Sequence, residues 1–151
     1  KYGMPLLYHN HESELEFCDD GQMILDKLYS LHDAKKFQAE FDLGWLSNGG
    51  VDPVEYINKY SGRVPCVHMK DFGYAGKVCR AVGIEYKDSD ESSEFEFRSV
   101  GKGLLPVKRI LEAAEKAGTR YIIVEQDNPT PGVDIMDSIA ESVKYLKSVM
   151  D

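Results

Sequence analysis

With 151 residues, 42% of them hydrophobic and 29% charged, the chain is long enough for one domain with its own core and has the composition of an ordinary globular protein. Its net charge of −8 disfavours a protein that holds nucleic acid through the phosphate backbone, which needs a basic face. No apolar run approaches the length of a membrane span, so no membrane partner is expected. The cysteines, Cys18, Cys66 and Cys79, are odd in number with no close pairing, which predicts free thiols, a reducing compartment and a cytoplasmic location.

The chain begins at Lys1 rather than an initiator, shows no signal peptide, and is already a strand from Pro5 to His11, as a piece of a longer protein would be. Alternation along that strand puts Leu7, His9 and His11 on one face. Two histidines there either line a site or are surface side chains held by hydrogen bonds. Gly21 to Leu31 predicts a short helix, with Met23, Ile24, Leu28 and Leu31 as its apolar stripe and Asp19 or Asp20 as its cap. His32 follows it without a chemical role. Lys36 to Asp42 predicts a second strand. Leu43 to Gly50 reads as a turn-rich loop whose Gly49-Gly50 permits unusual backbone angles but lacks phosphate-binding spacing. Trp45, the only tryptophan, either walls a pocket or simply packs. Asp52-Pro53 starts a helix, as N-cap and first position; Val54, Ile57 and Tyr60 face the core and Ser61-Gly62 ends it.

Val64 to Met69 predicts a third strand with Cys66 as a small core residue and His68 at its end. Lys70 follows two positions on, and a His and a Lys leaving one strand tip together point to a site. From Gly73 to Val100 the rhythm breaks. Two β-prone runs, Val78 to Tyr86 and Phe95 to Val100, flank an acidic tip and predict a β-hairpin insertion over residues 73–100, either a lid over a site or a surface excursion. Pro106 to Ala117 predicts a helix with Val107, Ile110, Leu111 and Ala114 as its stripe and Gly118 as its C-cap. Tyr121 to Val124 is a fourth strand, ending on Glu125. A last helix carries Ile135, Ile139, Val143 and Leu146 to the C-terminus.

Strand and helix thus alternate four times, which predicts an α/β fold with a parallel sheet. Each strand ends in a polar group: His9 and His11, then Asp42, His68 and Glu125. Carboxylates and imidazole converging at the carboxyl ends of parallel strands suit a borderline divalent cation such as Mn²⁺, Zn²⁺, Co²⁺ or Fe²⁺. One such residue carries little; four in succession carry much more.

Tyr8-His-Asn-His11 with Glu16-Phe17, Asp42-Leu-Gly-Trp45 with Gly50-Val-Asp-Pro53, Gly62-Arg-Val64, His68-Met-Lys-Asp71, Val100-Gly-Lys-Gly103 and Val124-Glu-Gln-Asp127 span nearly the whole chain. Through them it resembles the xylose isomerase-like TIM-barrel superfamily, which holds sugar phosphate isomerases and epimerases, tagatose-type 3-epimerases, inosose dehydratases and endonuclease IV. The likeness is strongest to the sugar phosphate isomerase/epimerase branch and covers only the C-terminal half of that barrel. It implies a single domain over residues 1–151: a partial (β/α)8 TIM barrel, roughly strands five to eight with their helices, plus the β-hairpin insertion. A full barrel takes eight units and roughly 250 residues, and four strands alone leave two open edges. The expected partner is therefore a missing N-terminal half-barrel or a second copy of the chain in a homo-oligomer.

The resemblance also implies one divalent metal, Mn²⁺, Zn²⁺, Co²⁺ or Mg²⁺. Carried over, Asp42, His68 and Glu125 match three ligands. Glu16 is the first choice for the fourth, because a carboxylate in the trailing Glu-Phe can reach back; His9, standing where many relatives have Glu, is the alternative. Trp45 stands where endonuclease relatives carry a second metal-binding His, which argues against a nuclease. The implied reaction is proton abstraction next to a carbonyl of a sugar or sugar phosphate, through an enediolate. Glu125 would be ligand and base, His11 its partner, and Lys70 would neutralise the oxyanion; His9, Trp45 and Lys70 would line the substrate. The leading expectation is a metal-dependent sugar (phosphate) isomerase or epimerase. The same enediolate can expel a β-hydroxyl, which gives a dehydratase or lyase on an inosose or keto-sugar derivative. A non-catalytic sugar-binding or assembly module is the third reading.

Overall fold

The computed structural model describes residues 2–75 and 94–150. In chain order these form β1 (Leu6–His9), α1 (Ile24–Ser30), β2 (Phe37–Asp42), α2 (Leu43–Asn48), α3 (Pro53–Lys59), β3 (Cys66–Met69), β4 (Phe72–Ala75), β5 (Glu94–Phe97), α4 (Val107–Ala117), β6 (Tyr121–Val124) and α5 (Ile135–Met150). Strands β1, β2, β3 and β6 make one sheet in that order, and every neighbouring pair is parallel. Helices occupy the crossovers, as parallel strands require. The expectation of an α/β fold with a parallel sheet holds, and the arrangement is consistent with part of a TIM barrel.

The period of two in β2 divides the molecule. Phe37, Ala39 and Phe41 are buried and join Tyr29, Tyr56, Ile57, Val67, Met69 and Ile110 in the core beneath the helices. Glu40 and Asp42 fall on the opposite face, with His9, His68 and Glu125. On that face the chain leaves apolar area open: Tyr121 is 61% exposed and Ile123 39%.

Several local expectations need correction. Helix α1 starts later than Gly21, and Met23, not Asp19 or Asp20, is its N-cap, with no side-chain cap bond. Asp20 instead accepts from the Gln22 backbone N–H in the preceding turn. The core residues of α1 are Leu25 and Tyr29, an i, i+4 pair, whereas Leu31 is 70% exposed. The loop expected after Asp42 is the helix α2, started by the Asp42 carboxylate, which accepts from the Trp45 N–H at 2.9 Å. Glycine at 44 lets this helix lie against β3, since a Cβ there would stand 2.2 Å from the Lys70 carbonyl oxygen. In α5 the buried residues are Ser138, Ser142 and Leu146; Ile135, Ile139 and Val143 of the expected stripe are each more than a third exposed. Hydroxyls hold that helix: Ser138 Oγ lies 2.9 Å from Ser99 Oγ, and Ser142 Oγ accepts from the Val100 N–H.

Among the described residues β4 and β5 pair antiparallel, from Phe72↔Phe97 to Ala75↔Glu94; β4 was not expected as a strand, and β5 spans Glu94–Phe97 rather than Phe95 to Val100. The Val78–Tyr86 run, Cys79 and the acidic tip lie outside the described residues. Phe95 stacks on Phe72 at 5.3 Å and on Trp45 at 5.2 Å, so the base of the hairpin packs on the wall of the site. Cys18 and Cys66 are free thiols and Cys66 is buried. No helix among the described residues is long and apolar enough to cross a membrane.

Asp71 is the joint between sheet and hairpin. Its buried carboxylate accepts the backbone N–H groups of Phe72, Gly101, Gly103 and Leu105. Glycine is needed at 103 because a Cβ would sit 2.2 Å from Asp71 Oδ1. The Gly-Lys-Gly motif is thus a backbone wrap around a carboxylate. Asp71→Ala leaves these donors without an acceptor and is expected to lower stability by at least about 3 kcal/mol in urea denaturation, with Asp71→Asn costing less because its amide oxygen still accepts.

Candidate metal centre

The carboxyl ends of β1, β2, β3 and β6 bring His9, Asp42, His68 and the Glu125 that follows β6 together. One ligand atom from each lies within 4.8 Å of the others. Register sets the pairing: Asp42 stands opposite His68, and His9 opposite Glu40. Asn10, fully buried, fixes the first of these ends by accepting the Asp42 backbone N–H at 3.1 Å.

Asp42 is 0% exposed. Its Oδ1 caps α2. Its Oδ2 lies 3.1 Å from Lys70 Nζ and 3.7 Å from His9 Nε2, yet no donor is aligned with it. Burial pushes its carboxyl up to about 6, against the Trp45 N–H and Lys70, which lower it. Lys70 is 1% exposed, with Nζ 3.1 Å from Asp42, 3.2 Å from Asp127 and 3.3 Å from Glu125. Burial pulls the lysine down, but these carboxylates outweigh it and hold it above its ordinary value. Its ammonium also lies 5.2 Å over the Trp45 ring. Burial and the neighbouring His68 hold His9 below its ordinary value, which favours the neutral ring. Burial raises Glu125, but His68 and Lys70 overcome it and hold the carboxylate below its usual range. His68 spans two carboxylates, with Nδ1 against Glu125 and Nε2 2.8 Å from Glu40 Oε1.

The donor set fits a divalent cation. Two imidazoles and two carboxylates converge, and Glu40 and Asp127 add further negative charge against the single ammonium of Lys70. Two buried polar atoms at the centre, His9 Nδ1 and Asp42 Oδ2, have no hydrogen-bond partner, and an unpaired buried polar atom is costly unless something binds it. Such mixed N and O ligands suit Mn²⁺, Zn²⁺ or Co²⁺.

Of the residues expected from the sequence, Asp42, His68, Glu125, His9 and Lys70 come together. Trp45 and His11 stand at the rim, with ring centroids 6.0 Å apart and His11 5.1 Å from His9. Glu16, the first choice for the fourth ligand, is exposed and outside the group; His9 stands in its place. A short 3-10 turn at Ser13–Leu15 carries the chain away from the strand end before Glu16. Glu40, Asn10 and Asp127 were not singled out from sequence. Glu40 and Asp127 each lie two positions from a predicted ligand, Asp42 and Glu125, and strand alternation was the available signal for both.

Asp42 carries a pH dependence of stability. Its folded value, about 6, lies above the ordinary aspartate value of 3.8, so its contribution is full below about pH 4 and is lost as pH rises through about 6. In the metal-free protein, the stability of wild type relative to Asp42→Asn is expected to fall by on the order of 2–3 kcal/mol across that range, measured by urea denaturation at each pH.

No family model matches the chain. Its sequence is similar to inosose dehydratases. It is 25% identical over 159 residues to that of Lacticaseibacillus casei, covering 99% of this chain and 49% of the relative. It is 28% identical over 155 residues to that of Clostridium beijerinckii, covering 96% and 48%. A shorter match to the Geobacillus kaustophilus enzyme reaches 36% identity over 70 residues, covering 46% of this chain and 21% of the relative. Among solved structures, a sugar phosphate isomerase/epimerase from Parabacteroides distasonis superposes with a TM-score of 0.73 at 22% identity, covering 97% of this chain and 46% of that one. A xylose isomerase domain protein from Planctomyces limnophilus gives a TM-score of 0.64 at 17% identity, covering 97% and 45%. The chain spans about half the length of the curated relatives it matches.

Proposed function

We propose that this chain, which shares the fold of sugar phosphate isomerase/epimerase and xylose isomerase domain proteins, carries the metal-binding half of an enzyme that removes a proton next to a carbonyl of a sugar or polyol ketone. In this reading β1, β2, β3 and β6 are strands five to eight of a (β/α)8 barrel within a single domain, with residues 73–100 inserted as a hairpin. The remaining strands would be supplied by an N-terminal half-barrel or by a second copy.

The observation that carries the reading is the convergence of His9, Asp42, His68 and Glu125, where His9 Nδ1 and Asp42 Oδ2 are buried without an aligned hydrogen bond and Asp42 Oδ2 faces Lys70 at 3.1 Å. A divalent cation held there would supply Lewis acidity to a substrate carbonyl. The chain's own groups do the rest. Glu125, held ionised by His68 and Lys70, accepts the carbon-bound proton. Lys70 Nζ, fixed in place by its carboxylate neighbours, faces the oxyanion of the enediolate. His11, at the rim, returns the proton at carbon or oxygen. Trp45, backed by Phe95, forms an apolar wall that limits water and gives a sugar ring a flat face to lie on.

Return of the proton makes the enzyme an isomerase or epimerase. A second outcome, loss of a β-hydroxyl from the same enediolate, makes it a dehydratase. Similarity to inosose dehydratases over nearly the whole chain favours this second outcome as much as the fold favours the first.

Isothermal titration with Mn²⁺, Zn²⁺ or Co²⁺ is expected to show one site per chain, lost in Asp42→Ala and His68→Ala; no uptake by wild type sinks the reading. With metal present, deuterium from solvent is expected to enter ketose or inosose substrates next to the carbonyl. Exchange without loss of water identifies the isomerase, and release of water the dehydratase. Lys70→Met is expected to slow either by about 100-fold or more in kcat. A sedimentation measurement distinguishes a paired half-barrel from a chain awaiting another segment.

A further inference from the structure

We propose, building on the metal reading above, that Glu40 is the positioning residue of the centre: it accepts the His68 Nε2–H and so presents His68 Nδ1 as a lone pair to the cation. Four observations lead there. Glu40 lies two residues before Asp42 on β2 and shares its face. Because Asp42 is in register with His68, Glu40 is one step deeper toward the start of the strands. Its Oε1 stands 2.8 Å from His68 Nε2, a good hydrogen-bond length, whereas its distance to His9 Nδ1, 3.9 Å, is too long for one. Glu40 is not one of the four residues whose ligand atoms converge with His9.

The chemistry follows from the two nitrogens of imidazole. When one is held as a donor, the other keeps its lone pair. A metal-bound histidine usually gives its remote N–H to a carboxylate or carbonyl, which fixes the ring and makes the ligand more basic. Here His68 lies between two carboxylates, and Glu125 touches Nδ1. Were Glu40 absent, the arrangement that best satisfies the ring would be Nδ1–H donating to Glu125. That places a proton where the cation must bind and engages two ligands with each other. Glu40 biases the proton to the far nitrogen and leaves Glu125 and Nδ1 to converge on the cation.

Glu40, Cys66 and His68 also come within 4.8 Å of one another, which raises the alternative of a second cation site. His68 Nε2 is already engaged by Glu40 Oε1 at 2.8 Å, and Cys66 is a buried free thiol that burial and the Glu40 charge hold up at about 11, so the hydrogen bond is the contact the geometry gives. A hydrogen-bonding role for Glu40 remains.

The test uses Glu40→Leu, which removes the acceptor, and Glu40→Gln, which keeps an amide oxygen. Zn²⁺ affinity is read by competition with a chromophoric chelator, and the His68 proton by a long-range proton–nitrogen NMR spectrum of the metal-free and Zn²⁺-loaded chains. In wild type a proton is expected on Nε2, protected from solvent exchange, with and without Zn²⁺. In Glu40→Leu the metal-free protein is expected to hold its His68 proton on Nδ1 alone, with Zn²⁺ affinity lower by about 10–100-fold, and Glu40→Gln is expected in between. Affinity within about twofold of wild type in Glu40→Leu overturns the proposal. So does a loss of affinity with the His68 proton unmoved, the result of a packing role alone. If wild type takes up no Zn²⁺, the metal reading fails by itself, and the position of the His68 proton in the metal-free variants still decides what Glu40 does. Should Glu40→Leu not fold, Glu40→Gln is judged by the same two readouts.

Discussion

Asp42 is an ionisable group with no access to water, placed where four parallel strands end. A carboxylate in that position has to be shared out among donors or bind a cation. The structure gives one oxygen to the first turn of α2 and leaves the other facing Lys70 and His9. The helix after the strand, the glycine at 44, the buried lysine and the packing of the aromatic wall follow from that single placement. Helix α2 can start only because Asp42 caps it, and it can lie close to β3 only because residue 44 has no side chain.

Lys70 is the counterpart. A lysine this deeply buried is ordinarily expensive, and here Asp42, Glu125 and Asp127 hold it charged. Its position rests in turn on Asp71, the next residue, whose carboxylate gathers four backbone N–H groups from β4 and the Gly101–Leu105 segment. Two adjacent side chains thus divide the work. Lys70 turns into the site and serves its electrostatics, and Asp71 turns away from it and anchors the hairpin and the start of α4. The hairpin base then returns to the site through Phe95, stacked on Trp45. Helix α5 is seated differently: hydroxyls of Ser99, Ser138 and Ser142 hold it, and apolar side chains of that helix and of β6 stay partly open.

The reliable signals in the sequence were the ones that repeat. Alternation in Phe37 to Phe41 fixed which face of β2 is core, and Asp52-Pro53 marked the start of α3, with Asp52 accepting from Val54 as a cap should. The weak ones were short and singular. The α1 stripe held only in part, with Met23 and Leu28 packed against the core and Ile24 and Leu31 exposed, because a seven-residue helix has too few turns for its hydrophobic pattern to choose a face. The stretch after Asp42 read as a loop because its glycines and polar residues hid a helix whose stability comes from its cap and from packing. The α5 stripe held only at Leu146, because polar groups can be buried when they bond one another.

Residue order alone determined that this is an alternating α/β chain with polar residues at successive strand ends, since a period of two, a period of 3.6 and the punctuation between them are local properties. It also determined three of the four members of the centre, Asp42, His68 and Glu125, because each follows an apolar run directly. Only the tertiary structure decided the fourth. His9 and Glu16 are both near the end of β1 in sequence, and the 3-10 turn between them sends one into the centre and the other to the surface. The tertiary structure alone also decided that Glu40 faces His68, because that contact joins two strands whose register no local pattern specifies.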